Sequence, residues 1–133
     1  MNKKIFLEYF QKLKKWHPDF SFNNELNSFL ENFSSLLSAG VPILVAFEST
    51  KTEIKSERLR NIISKMADDV NNGVSLSNAI KNSGLFSQYV SVLVNMGEKS
   101  GRLVENLKIV SIEEEKKRAL KSKLKSAMMY PVF

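Results

Sequence analysis

Cysteine is absent from the 133 residues and histidine occurs once, at His17. The first absence excludes a disulfide scaffold and any thiolate metal site, and it fits a reducing compartment. The second leaves no imidazole cluster for a metal cage and no base to spare for a nucleophilic triad. Glycine and proline are scarce, at five and three residues, which argues against a turn-rich β-sandwich and for helices. Long hydrophobic runs are missing as well. The longest, residues 41–47, has seven members, where a bilayer span needs roughly 20. Lys3 and Lys4 are followed by a segment broken by Glu8, Gln11 and Lys12, so no signal-peptide core forms. Neither GxxxxGK[ST] nor GxGxxG occurs, so ATP binding by those phosphate-cradling loops is not expected.

What is present suits one helical domain. The hydrophobic share of 43% is enough for a core, and the length matches a single unit. The formal charge of +6 is unevenly spread. Residues 1–17 hold five lysines and one glutamate, and residues 113–126 hold six basic and three acidic residues. Residues 18–112 are near neutral, with nine basic and ten acidic side chains. Uniform basicity would suggest a nucleic-acid surface; two basic ends around a neutral body do not.

Residues 3–16 place Phe6, Tyr9, Phe10, Leu13 and Trp16 at helical spacing with lysines on the remaining face, the pattern of a short amphipathic helix. His17-Pro18 stops it, so His17 reads as a helix-end residue. Residues 17–24 read as a linker, with Asn23 or Asn24 capping the next helix. Domain organisation is therefore expected to be an N-terminal helix and linker over 1–22 and a helical bundle over 23–133. In the bundle, Leu26, Phe29, Leu30, Phe33, Leu36 and Leu37 form the first stripe, closed by Gly40. Pro42 fits the first turn of the second helix, which runs to about Lys51. Ser56 caps the third helix, striped by Leu59, Ile62, Ile63, Met66 and Val70, and Asn71-Asn72-Gly73 ends it. Ser75 caps a short fourth helix, and Ser87 opens a fifth whose inner face is read as Tyr89, Leu93 and Met96, ending at Gly97. The sixth begins after Ser100-Gly101 with Leu103, Leu107 and Val110. No window alternates cleanly enough for a strand. The expected fold is all-α, an antiparallel bundle of about six helices joined by short turns.

The sixth helix changes character at residues 113–118, EEEKKR. A helix polar on every side stands in solvent or bridges two parts, and Glu113–Lys117 and Glu114–Arg118 have the favourable i,i+4 order. Leu120, Leu124, Ala127 and Met128 then resume an apolar stripe among Lys121, Lys123 and Lys125, and hydrophobicity rises toward Tyr130, Pro131 and Phe133. Lysines beside a growing apolar segment resemble the cytoplasmic flank of a membrane span. The natural chain is expected to continue into one.

Four motifs, in order, carry a resemblance to a known family. They are Leu36-Leu37-Ser38-Ala39-Gly40-Val41-Pro42, Gly73-Val74-Ser75-Leu76-Ser77-Asn78-Ala79, Gly97-Glu98-Lys99-Ser100-Gly101-Arg102-Leu103, and Tyr130-Pro131. From Phe29 to Pro131 the chain resembles the cytoplasmic domain of the bacterial inner-membrane platform proteins of type II secretion and type IV pilus assembly. One departure is Ser87 after Phe86, where relatives often have proline; the serine can cap instead. The resemblance implies a non-catalytic domain at the inner membrane, coupling a cytoplasmic assembly ATPase to pilin or pseudopilin addition alongside other inner-membrane assembly proteins. It implies no cofactor, metal, small-molecule substrate or nucleic acid. Self-association, as a homodimer, is expected of a platform for an oligomeric motor.

The individual motifs have competing explanations. Gly97 and Gly101 can form a tight reversal with Ser100 capping the next helix, or Glu98 can present its carboxylate to a neighbouring subunit. Asp68-Asp69 point about 100° apart on a helix and read as a solvated face, since a hard-cation site needs several converging oxygens. The face of Phe6, Tyr9, Phe10, Leu13 and Trp16 can pack on its own bundle, dock into a partner's groove, or lie on an anionic membrane. The alternative function is a basic helical nucleic-acid-binding module using the terminal lysines. An enzyme would need a convergent site, and the pattern supplies none.

Overall fold

A computed structural model describes residues 3–8 and 20–129, with side chains described for 3–8 and 21–126. Residues 3–8 are helical. Six helices follow: α1 (Phe20–Ser38), α2 (Ile43–Lys51), α3 (Glu57–Asn71), α4 (Leu76–Ser83), α5 (Gln88–Ser100) and α6 (Leu103–Met129). Among the described residues there is no strand, as the all-α expectation requires. Each helix packs on the next in chain order, and α6 returns to pack along α1, so the six close into a ring. Short connections enforce this antiparallel neighbour order.

Every helix contributes to one core. Phe29 and Phe33 of α1 stack with Phe47 of α2, with ring centroids 4.6–6.3 Å apart. Leu59 and Ile63 of α3, Ala79 of α4, Val90 and Val94 of α5 and Leu107 and Val110 of α6 are sealed beside them. Burying such a side chain contributes roughly 1.5–3 kcal/mol. The buried hydroxyl of Thr50 donates to the carbonyls of Ala46 and Phe47 within its own helix, so it enters the core without an unmet polar group.

Four local readings need correction. First, α1 is already helical at Phe20, so residues 20–24 are not linker and neither Asn23 nor Asn24 is a cap. Phe22 is buried and lies under the guanidinium of Arg58, 4.4 Å from its ring centroid. That long-range contact outweighs the turn preference of the two asparagines. Second, Pro42 stands one residue before α2 as its N-cap, where its carbonyl accepts the N–H of Ala46. Third, α5 buries Val90, Ser91, Val94 and Gly97, whereas Tyr89 and Met96 are exposed and Leu93 is half-buried. Fourth, Gly97 does not end α5, which continues to Ser100.

The last two corrections share a cause. A Cβ built on Gly97 would lie 2.9 Å from the Cα of Leu103 and 3.1 Å from both the Arg102 carbonyl oxygen and Asn106 Nδ2. Gly97 is therefore a contact point and not a turn. Its lack of a side chain lets the first turn of α6 cross close over α5, and that crossing sets which face of α5 is inside. Asn106 secures it by donating from Nδ2 to the Leu93 carbonyl at 2.8 Å. Two of the three atoms a methyl would strike are backbone, so relief requires moving a helix. Gly97→Ala is expected to lower stability by about 1–3 kcal/mol, read as a lower denaturation midpoint in urea with unchanged slope.

Candidate functional site

The two glycine-containing turns of the middle sequence meet in space. At the first, α3 ends through Gly73, whose φ of +92° lies in the left-handed region. The Gly73 N–H reaches the Val70 carbonyl and the Val74 N–H reaches the Asp69 carbonyl, a Schellman closure. Gly40 closes α1 the same way, through its bond to Leu37 and that of Val41 to Leu36. Two residues beyond Gly73, Ser75 caps α4: its Oγ accepts the Asn78 N–H at 3.2 Å and its carbonyl accepts that of Ala79. Two N–H groups of the first turn, those of Leu76 and Ser77, then still lack partners from α4 itself.

Glu98 supplies both. Its Oε2 accepts the Leu76 N–H at 3.1 Å and its Oε1 accepts the Ser77 N–H at 2.9 Å. A carboxylate in this position satisfies two orphan donors and meets the positive end of the helix dipole. Glu98 thus acts as a long-range cap, a role that neither explanation of the Gly97–Leu103 motif assigns to it. The Ser100 expectation fails: Ser100 is the last residue of α5, and Gly101, with φ +73°, turns the chain toward α6. Both the Gly101 and Arg102 N–H groups close on the Gly97 carbonyl. Ser87 stands at the start of α5 without a side-chain capping bond.

A second carboxylate makes a related contact one step earlier in the chain. Glu25 of α1 accepts the N–H groups of Lys55 and Ser56, at 2.7 and 3.4 Å, just ahead of α3. Ser56 then caps α3 by accepting from Leu59, as expected. Nothing local marks Glu25 for this task, since its partners lie 30 and 31 residues away.

The other named residues divide as follows. Phe6 lies in the helical 3–8 stretch, 41% exposed; Tyr9, Phe10, Leu13 and Trp16 lie outside the described residues, as do Tyr130 and Pro131. Asp68 is exposed and Asp69 half-buried on α3. On α6, the ion pairs are Glu114–Lys117 at 3.4 Å and Glu115–Arg118 at 2.6 Å, an i,i+3 spacing in place of the expected i,i+4. Arg118 also donates to Asn24 Oδ1, and Glu113 accepts from the Tyr89 hydroxyl; turning these side chains toward α1 and α5 changes which neighbours pair. The hydrogen bonds from Arg118, aided by its charge, hold the Glu115 carboxyl below the ordinary glutamate range despite slight desolvation. A depressed carboxylate favours the folded pairing above its unfolded pKa, and the pairing is lost only as pH falls through the lowered value.

From residue 111 to 126 no side chain of α6 is buried. The helix thus consists of a packed half, anchored by Leu107 and Val110, and a stem. Beside the packed half, Tyr89, Val92 and Met96 of α5 and Ile109 of α6 are exposed apolar residues, joined by the Tyr89–Glu113 contact one turn beyond Ile109. No helix among the described residues is long and apolar enough to cross a membrane.

With this arrangement established, comparison with known proteins is decisive. The family profile for type II secretion system (T2SS) protein F matches residues 29–133, from within α1 through every later helix. The chain belongs to the type II secretion system protein F family. Among its relatives is the type IV pilus assembly protein PilC of Pseudomonas aeruginosa, 31% identical over 105 residues, covering 78% of this chain and 28% of the relative. PilC of Thermus thermophilus is 32% identical over 108 residues, covering 81% and 27%. The type II secretion system protein F of Xanthomonas campestris is 31% identical over 110 residues, covering 82% and 27%. The chain thus spans about a quarter of the length of these relatives. The resemblance read from the motifs holds, and in this protein F domain the second and third motifs are two sides of one capping contact.

That contact can be measured. Glu98→Ala strands two N–H groups at the start of α4 and is expected to cost about 2–3 kcal/mol, against about 1 kcal/mol for Ser75→Ala. Urea unfolding of the two single variants and the double variant checks this, with a departure from additivity expected because both side chains serve one helix terminus.

Proposed function

We propose that the chain is the non-catalytic, force-transmitting domain of an inner-membrane assembly platform, on the cytoplasmic side, in a type IV pilus or type II secretion machine. It couples a cytoplasmic assembly ATPase to the addition of pilin or pseudopilin, together with other inner-membrane assembly proteins. The observation that carries this reading is the division of α6. At 27 residues the helix is about 40 Å long; its first part closes the ring against α1, and its last part leaves the core. A continuous helix transmits a push or a twist from the bundle to whatever follows. Family membership supplies the machine, and the relatives named for pilus assembly and for secretion support both settings.

The Glu98 carboxylate is engaged by backbone N–H groups, which favours a structural over a catalytic role. The exposed face of Tyr89, Val92, Met96 and Ile109 is the surface proposed for a homodimer contact. Phe6, with Tyr9, Phe10, Leu13 and Trp16 ahead of α1, is proposed as the handle for the ATPase. No cofactor, metal, small-molecule substrate or nucleic acid enters this mechanism.

Two measurements test it. The 133-residue chain is expected to bind the cognate assembly ATPase saturably in surface plasmon resonance, and a flat titration overturns the reading. In the full-length protein, Ala119→Pro breaks the stem where no core residue depends on it, at a local cost of about 3 kcal/mol. This variant is expected to keep ATPase binding and lose pilus assembly or secretion; unimpaired assembly would show that the stem carries no load.

A further inference from the structure

The densest positive charge of the chain lies in one short stretch. Residues 116–126 hold six of the 20 lysines and arginines and none of the 14 acids, so the remaining 14 basic and 14 acidic side chains cancel. This stretch lies in the stem of α6, where no side chain is buried. With about 100° between successive residues, Leu120 and Leu124 share one stripe, and they are 60% and 55% exposed. The same rotation puts Lys116 and Lys123 along one edge of that stripe and Lys117 and Lys121 along the other. Arg118 falls on the opposite side, held by Glu115 and Asn24 of α1.

We infer that the stem of α6 lies on an anionic phospholipid surface. Leu120 and Leu124 enter the boundary between headgroups and acyl chains, and Lys116, Lys121 and Lys123 reach the headgroup phosphates, with Lys117 paired to Glu114 beside them. The pattern is that of an interfacial helix. A lysine can keep its ammonium at phosphate level while its methylenes cover apolar surface, and each lysine near such a surface adds about fivefold to partitioning. A nucleic acid would meet the charge but would set two leucines against phosphates. A second copy of the stem would bring like charges together. Lipid satisfies both the charge and the stripe. The inference does not depend on ATPase coupling, since it concerns the stem and a bilayer alone.

Vesicle co-sedimentation of the 133-residue chain tests it. Binding is expected to mixed phosphatidylcholine–phosphatidylglycerol vesicles and not to phosphatidylcholine alone, and to weaken as salt rises. Lys121→Gln with Lys123→Gln should weaken it roughly 25-fold, and Leu120→Ser with Leu124→Ser roughly tenfold or more. Lys65→Gln with Lys81→Gln removes the same charge from exposed positions on the bundle and should leave binding unchanged. The inference is overturned by equal binding to both vesicle types, or by full binding in either stem variant. It also fails if binding is lost only on changing Lys12, Lys14 and Lys15 to glutamine, or if the chain ignores vesicles and binds duplex DNA.

Discussion

One carboxylate holds the middle of this fold together. Glu98 sits near the end of α5, and the two N–H groups it accepts belong to α4, 21 and 22 residues earlier. Remove it, and a helix of eight residues would begin with two unpaired donors. Helices this short are marginal without tertiary support, so the N-terminus of α4 depends on α5 being in place. The dependence runs onward. Gly97, adjacent to Glu98, lets α6 cross close to α5, and α6 then returns to α1 to close the ring. Residues 97 and 98 thus fix α4 on one side and α6 on the other.

Glu25 shows that this is a building principle of the bundle. From α1 it accepts two N–H groups at the entry to α3, so α3 is tied at its start to a helix that is not its sequence neighbour. At both sites a serine takes an N–H inside its own helix; Glu98 takes the first two of α4, and Glu25 takes the two that lead into α3. Packing alone would allow the helices to slide along their stripes. Bonds from a side chain to helix-terminal backbone fix the axial position as well, because the donors occur only there.

This division explains what could be read in advance. Ser56 and Ser75 were legible as caps because the bond they make spans three residues, and the Gly40 and Gly73 closures are equally local. The partners of Glu98, Glu25 and Asn106 were not legible, since each reaches an element fixed only by the completed fold. The inner face of α5 was misread for a related reason. Tyr89, Leu93, Met96 and Val90, Val94, Gly97 are both helical stripes, and the area available for burial favours the one with the larger side chains. What decides is how closely α6 approaches, and that closeness is set by a residue with no side chain. The start of α1 was misplaced because Asn23-Asn24 favours a cap locally, whereas Phe22 is held in place by Arg58 across the bundle.

The same geometry bears on how a displacement could pass through the domain. α6 is clamped at its beginning by the Gly97 crossing and the Asn106 bond, and along its first half by Leu107 and Val110 in the core. Beyond these points it is held to the bundle by polar contacts at its margin, Tyr89 to Glu113 and Arg118 to Asn24. Exposed polar contacts of this kind are worth little individually, whereas moving Leu107 or Val110 would open close-packed core. On the proposed reading, a force on the bundle therefore moves the packed half of α6 as one body with the ring. The stem continues the same unbroken helix, so it follows the packed half as a lever while the weak contacts at its margin exchange. The close-packed grip on α6 lies where the load would enter, and its loosely held end lies where a surface would have to be met.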